Sequence, residues 1–72
     1  METNVNITSS YITLGQLLKE AGLIDTGGAA KWYLQEFAVS VNGEPDTRRG
    51  RKLYPNDSVA ISEVGTFVVT KE

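Results

Sequence analysis

Phe37-Ala38-Val39-Ser40-Val41-Asn42-Gly43-Glu44, residues 37–44, is the stretch where the chain changes period. Before it, apolar residues recur at spacings of three and four. From Val39 onward they alternate, as they do on a half-buried strand. Asn42-Gly43 then offers the two positive-φ positions that a type I′ turn requires, so a tight hairpin is expected. Pro45 lacks an N–H and confines the returning strand to a sheet edge or ends it quickly. Helical periodicity upstream and strand periodicity downstream define an α+β arrangement.

Working back from this point, Ala30, Tyr33, Leu34 and Phe37 step by three, four and seven and predict a second helix, which Thr26 would open with its hydroxyl as the cap. Tyr33 and Phe37 lie on its core stripe, and Trp32 is read as buried too, with base stacking as its alternative role. Upstream again, Thr13 and Gln16 make a capping box, with Ile12 and Leu17 placed as a hydrophobic staple. Leu14, Leu17, Leu18 and Ala21 share one face of that first helix, and Gly22 fits the left-handed residue that ends it. Residues 1–10 read as a polar lead-in in which Val5 and Ile7 could make a short edge strand, and residues 11–72 as a single domain. Downstream, Leu53 and Tyr54 return to the core, Pro55-Asn56-Asp57 makes a turn, and Val59-Ile61 and Phe67-Val69 form the last strands, with Phe67 packed against the helices.

Composition narrows the chemistry. The chain has 72 residues, 40% of them apolar, and neither Cys nor His. That removes thiolate and imidazole metal sites, a Cys nucleophile and the usual general base. Asp25, Glu36, Glu44, Asp46, Asp57 and Glu63 are scattered singly, so an all-carboxylate site is not indicated, and the chain is read as a non-enzyme with no cofactor and no metal. No apolar run approaches the ~20 residues of a membrane span. The polar opening has no charged leader, and the lack of Cys favours the cytoplasm.

Two segments can hold anions. The formal net charge is −2, yet four of the seven cationic residues, Arg48, Arg49, Arg51 and Lys52, fall within five positions. A local patch of this kind decides binding more than the total charge does. The guanidinium fork suits phosphate oxygens, although a basic run can also be a solvated loop that maintains solubility. The other segment is Thr26-Gly27-Gly28 with Lys31. The opening N–H groups of a helix lack internal partners, and two glycines remove side chains that would keep a phosphate away. An ordinary tight turn into a helix is the competing explanation there. The GxxxxGK[ST] loop of nucleotide-binding proteins is absent.

The order of these motifs, a capped helix with Leu14 and Leu18, a helix opened by Thr26 through Ala30 and Leu34, Val39-Ser40-Val41-Asn42-Gly43, a basic loop, and Tyr54-Pro55-Asn56-Asp57-Ser58-Val59, resembles the RNA-binding domain named after ribosomal small-subunit protein four (the alpha-L motif). Residues 24–32 and 41–54 are most similar to its stand-alone bacterial members, the YaaA-like proteins. The resemblance covers residues 11–63. It implies two antiparallel helices packed on a small, mostly antiparallel sheet, with RNA backbone along the helix pair. The positions it implies for RNA contact are Thr13, Thr26, Gly27, Lys31, Asn42 and the basic loop. Where the family often has Arg-Leu-Asp this chain has Thr13-Leu14-Gly15, and where it often has Ser-Arg this chain has Thr26-Gly27. Arg48, Arg49, Arg51 and Lys31 would then carry the electrostatic work.

The function expected from these readings is that of a monomeric module gripping structured RNA, ribosomal or transfer RNA, through Thr13, Thr26, Gly27, Gly28, Lys31, Asn42, Arg48, Arg49, Arg51 and Lys52. Backbone electrostatics alone do not choose between RNA and DNA. Four or five cationic contacts predict a log-log salt slope of roughly −3 to −4, and as exposed residues the arginines are expected to matter little for stability. The alternatives are a protein-interaction adaptor with the basic loop on an acidic partner, and a ubiquitin-like sulfur carrier. The second needs a C-terminal Gly-Gly, where this sequence has Thr70-Lys71-Glu72.

Overall fold

The computed structural model describes residues 2–72 and contains two helices and seven strands. In chain order these are β1 (Glu2–Ile7), β2 (Ile12–Thr13), α1 (Leu14–Glu20), α2 (Ala29–Glu36), β3 (Val39–Val41), β4 (Glu44–Pro45), β5 (Lys52–Leu53), β6 (Ser58–Ile61) and β7 (Gly65–Lys71). Five strands form one sheet in the order β1-β7-β6-β3-β4, and β2 with β5 forms a separate two-stranded ribbon. Every pairing is antiparallel except β1 with β7.

The expected hairpin is present, with Asn42 at φ 51° and Gly43 at φ 85°, and Pro45 sits in the edge strand as its missing N–H requires. Asn56 in the next turn also has positive φ, at 79°. The Asn42 side chain braces these two turns together. Its Nδ2 donates to Asp57 Oδ1 at 3.1 Å, and its Oδ1 accepts from the Ser58 N–H at 2.9 Å.

Helix α1 follows its sequence signals at both ends. The Thr13 hydroxyl accepts from the Gln16 N–H, and the Gln16 carboxamide oxygen accepts from the Thr13 N–H. At the other end Gly22, at φ 77°, lets its own N–H reach the Lys19 carbonyl and the Leu23 N–H reach the Leu18 carbonyl. This pair of bonds satisfies two carbonyls that the helix end would otherwise orphan. Gly22→Ala meets no neighbouring atom, so its cost is conformational alone. A thermal melt should show a loss of about 1 kcal/mol.

Leu14, Leu17, Leu18, Leu53, Val41, Val59 and Val69 are fully enclosed, and Val5, Ile7, Ile12, Ile24, Ala30, Leu34, Val39, Ile61 and Phe67 complete the core between the helices and the strands. Three expectations are corrected here. Residues 2–7 are the edge strand that Val5 and Ile7 suggested rather than a loose lead-in: β1 pairs along its whole length with β7 and buries Val5 and Ile7. Helix α2 begins at Ala29 rather than Thr26, and the Thr26 hydroxyl does not cap it. The two glycines instead form a tight turn in which the carbonyls of Thr26 and Gly27 accept from the N–H groups of Ala29 and Ala30. Finally, Trp32 is 67% exposed and Tyr54 48%. Of the residues placed on the α2 core stripe, Ala30 and Leu34 are buried, Tyr33 is half-buried, and Phe37 caps the helix in exposed, extended backbone.

Candidate nucleic-acid interface

Asp46 shapes the basic segment. It lies at the end of β4, where its N–H donates to the Val39 carbonyl, and it is almost wholly buried. Its Oδ1 accepts from the Arg48 backbone N–H at 2.9 Å and from Arg48 Nε at 3.1 Å. Its Oδ2 accepts from Arg48 Nη2 at 2.9 Å and Arg51 Nη1 at 2.8 Å. One carboxylate thus folds the loop around itself and neutralises part of two guanidinium charges. The hydrogen bonds from Arg48 hold the Asp46 carboxyl well below the ordinary carboxylate range. Asp46, one of the acids that stand singly in the sequence, thus pairs with Arg48 and Arg51, two of the cations expected to meet phosphate.

The same loop is docked on α1. The Leu14 N–H donates to the Arg51 carbonyl at 2.8 Å and the Gly15 N–H to the Arg49 carbonyl at 2.9 Å. With the Thr13 cap, the first donors of α1 are therefore satisfied inside the protein, and the loop is a fixed element. Gly15 permits this approach. A Cβ there would stand 3.3 Å from the Arg49 carbonyl oxygen and 3.5 Å from the Ala30 Cβ. The departure from the family pattern at Thr13-Leu14-Gly15 thus coincides with a close seat for the loop.

Docking turns the loop into one wall of an open cleft of about 340 Å³. Thr13, Gly15, Gln16 and Lys19 line it from α1 and its cap, Arg49 and Gly50 from the loop, and Gly27 from the turn before α2. The two segments singled out as anion-binding therefore share one surface. Lys19 and Arg49 are its charged residues, and neither has a carboxylate partner among the described residues. The net charge of −2 is thus no measure of the local field. Lys19 is the contributor that the sequence reading missed. Its signal was its spacing, since Thr13, Gln16 and Lys19 lie three residues apart along one side of a helix.

The S4 domain family model matches residues 5–70. The chain belongs to the S4 domain family. Over 69 residues it is 54% identical to a protein of Bacillus subtilis (strain 168) named probable ribosome maturation protein RlbA, a similarity that covers 96% of this chain and 97% of that one. The S4 match begins inside β1 and ends inside β7, so it takes in part of each strand of that pair.

Several of the residues expected to contact RNA stand elsewhere in this S4 domain. Thr26, Gly28 and Lys31 are exposed but do not line the cleft, and the Asn42 side chain is committed to Asp57 and Ser58. Thr26 instead lines another open groove with Trp32, Tyr33 and Phe37, whose charged residues are Asp25 and Glu36. The cleft with Lys19 and Arg49 and the acid-lined depression thus adjoin at the turn before α2. Among the described residues no group of three or more carboxylate, Cys or His side chains converges on a metal position, and no helix is long and apolar enough to cross a membrane.

Proposed function

We propose that this chain is a non-catalytic module that holds the phosphate backbone of structured RNA in the cleft between α1, the Arg49-Gly50 loop and Gly27. The observation that carries the reading is the convergence of Lys19 and Arg49 with three glycines in one concave surface that has no carboxylate in its lining. Glycines admit a backbone closely, and the two cations supply the attraction. Lys52, the strand partner of the cleft residue Thr13, extends the positive surface, while Arg48 and Arg51 set the shape of the loop through Asp46. The S4 family and the ribosome maturation relative favour ribosomal RNA over transfer RNA as the ligand, and a cytoplasmic setting.

The test is a salt titration with a ribosomal RNA fragment and a DNA duplex of matched length. Three cations of this surface that lack a carboxylate partner among the described residues, Lys19, Arg49 and Lys52, give an expected slope of about −2 to −3 in log affinity against log salt. This is shallower than the four or five contacts counted from the sequence would give, because Asp46 engages two of them. RNA is expected to compete better than DNA, since an A-form duplex presents its own shape and 2′-hydroxyls. Affinity that does not respond to salt would remove the phosphate grip.

A further inference from the structure

The ribbon of β2 and β5 presents a second surface. Ile12 pairs with Leu53, and both side chains are buried. Thr13 pairs with Lys52 one step along, and side chains alternate across a strand, so these two point the other way. One step beyond the ribbon's other end stand Tyr11 and Tyr54, on the same outward face as Thr13 and Lys52. Their rings lie 5.9 Å apart, tilted by 48°, and the Lys52 ammonium sits 5.1 Å from the centre of the Tyr11 ring. Both rings are exposed, Tyr11 at 38% and Tyr54 at 48%. Since Thr13 also lines the cleft, the aromatic pair continues the surface proposed to hold the backbone.

We infer that Tyr54, braced by Tyr11, is a stacking platform for an unpaired base of the same RNA. This rests on the phosphate-cleft reading and adds to it the preference for a nucleotide outside a helix. A base inside a duplex has both faces covered by its neighbours, whereas an extruded or looped base can lay its face on an aromatic ring. Lys52, its ammonium over the Tyr11 ring at one side of the platform, is placed for the phosphate of that nucleotide. Stacking of this kind tolerates any base, so the platform selects a looped or bulged structure rather than a sequence.

The experiment compares two fluorescein-labelled RNAs with the same stem, one a blunt duplex and one a hairpin closed by unpaired pyrimidines, by fluorescence anisotropy at fixed salt. Tyr54→Ala should weaken hairpin binding about tenfold and leave duplex binding nearly unchanged, while Tyr54→Phe keeps the hairpin affinity. The turn that follows Tyr54 depends on its backbone N–H, which donates to Asp57 Oδ2 at 2.8 Å, so both variants retain that bond, and a circular dichroism melt checks the fold. An equal loss on both probes, or no loss on the hairpin, overturns the stacking platform. If Arg49→Glu abolishes binding to both probes while Tyr54→Ala leaves the hairpin unaffected, the platform falls and the cleft stands. If the wild-type chain binds neither probe, both fall together.

Discussion

Arg49→Glu is expected to weaken RNA binding about 100-fold, or roughly 3 kcal/mol, with little change in stability. A charge-assisted hydrogen bond to phosphate contributes about 1.5–3 kcal/mol, and reversing the charge adds repulsion. Arg49 projects into the cleft beside Lys19 and Gly27 and has no carboxylate partner among the described residues. What it gives the fold is its backbone carbonyl, which accepts from the Gly15 N–H and which Glu also supplies. Stability should therefore stay within about 0.5 kcal/mol. The salt slope should fall by about 1, the signature of one lost phosphate contact. Lys31→Glu is the companion measurement, since Lys31 is exposed but outside the cleft. An equal loss from the two variants would show a diffuse electrostatic attraction in place of a seat at the cleft. Reversing Arg48, Arg49 and Arg51 together is a poorer experiment, because it surrounds Asp46 with carboxylates and confounds binding with unfolding.

Asp46→Ala should be the surface-segment substitution that most damages the fold. The carboxylate accepts four hydrogen bonds, from one backbone and three guanidinium N–H groups. Arg48 is 70% exposed at its side chain, so solvent screens part of the attraction. A loss of about 2 kcal/mol is expected, which for a domain of this size lowers the melting temperature by about 10 °C. The same site sets an acid limit. Its carboxyl is depressed in the folded chain, so the unfolded chain takes up the proton more readily. The stabilisation is complete above the unfolded value of about 4 and is lost as the pH falls below it. Melts of the wild type should be flat near neutrality and decline below about pH 4, with a shallower decline in Asp46→Asn. Identical acid profiles for the two proteins would assign the acid sensitivity to other carboxylates.

The parts of the molecule legible in the sequence are those governed by neighbours a few residues away. Thr13 with Gln16, Gly22, Asn42-Gly43 and Pro55-Asn56-Asp57 each carry a local geometric demand, and each stands as expected. Asp46 was equally local, two and five residues from its partners, and an Asp hydrogen-bonding the backbone two residues on is a familiar turn. It was hidden because the net reading of a basic run discounts a single acid beside it. Trp32 is exposed because it stands two residues from both Ala30 and Leu34, off the stripe that these two bury. For residues 2–7 the alternation of Val5 and Ile7 signals a strand, but nothing local names its partner, which lies about sixty residues away. The joining of the two candidate segments followed from the family resemblance and from the way Arg49 and Arg51 close the start of α1, a contact between residues more than thirty positions apart.

The parallel pairing of β1 with β7 has a consequence for how the chain is made. β1 is an edge strand, and β7 is its sole neighbour in the sheet. During synthesis β1 emerges first and has nothing to join until β7, the last strand in chain order, has followed it. Helix α1 and the Asn42-Gly43 hairpin can form early from nearby residues, but Val5 and Ile7 stay uncovered until the closing step. A stalled or shortened chain lacking β7 would therefore present an unpaired apolar strand, the kind of exposed segment that invites aggregation or capture by a chaperone.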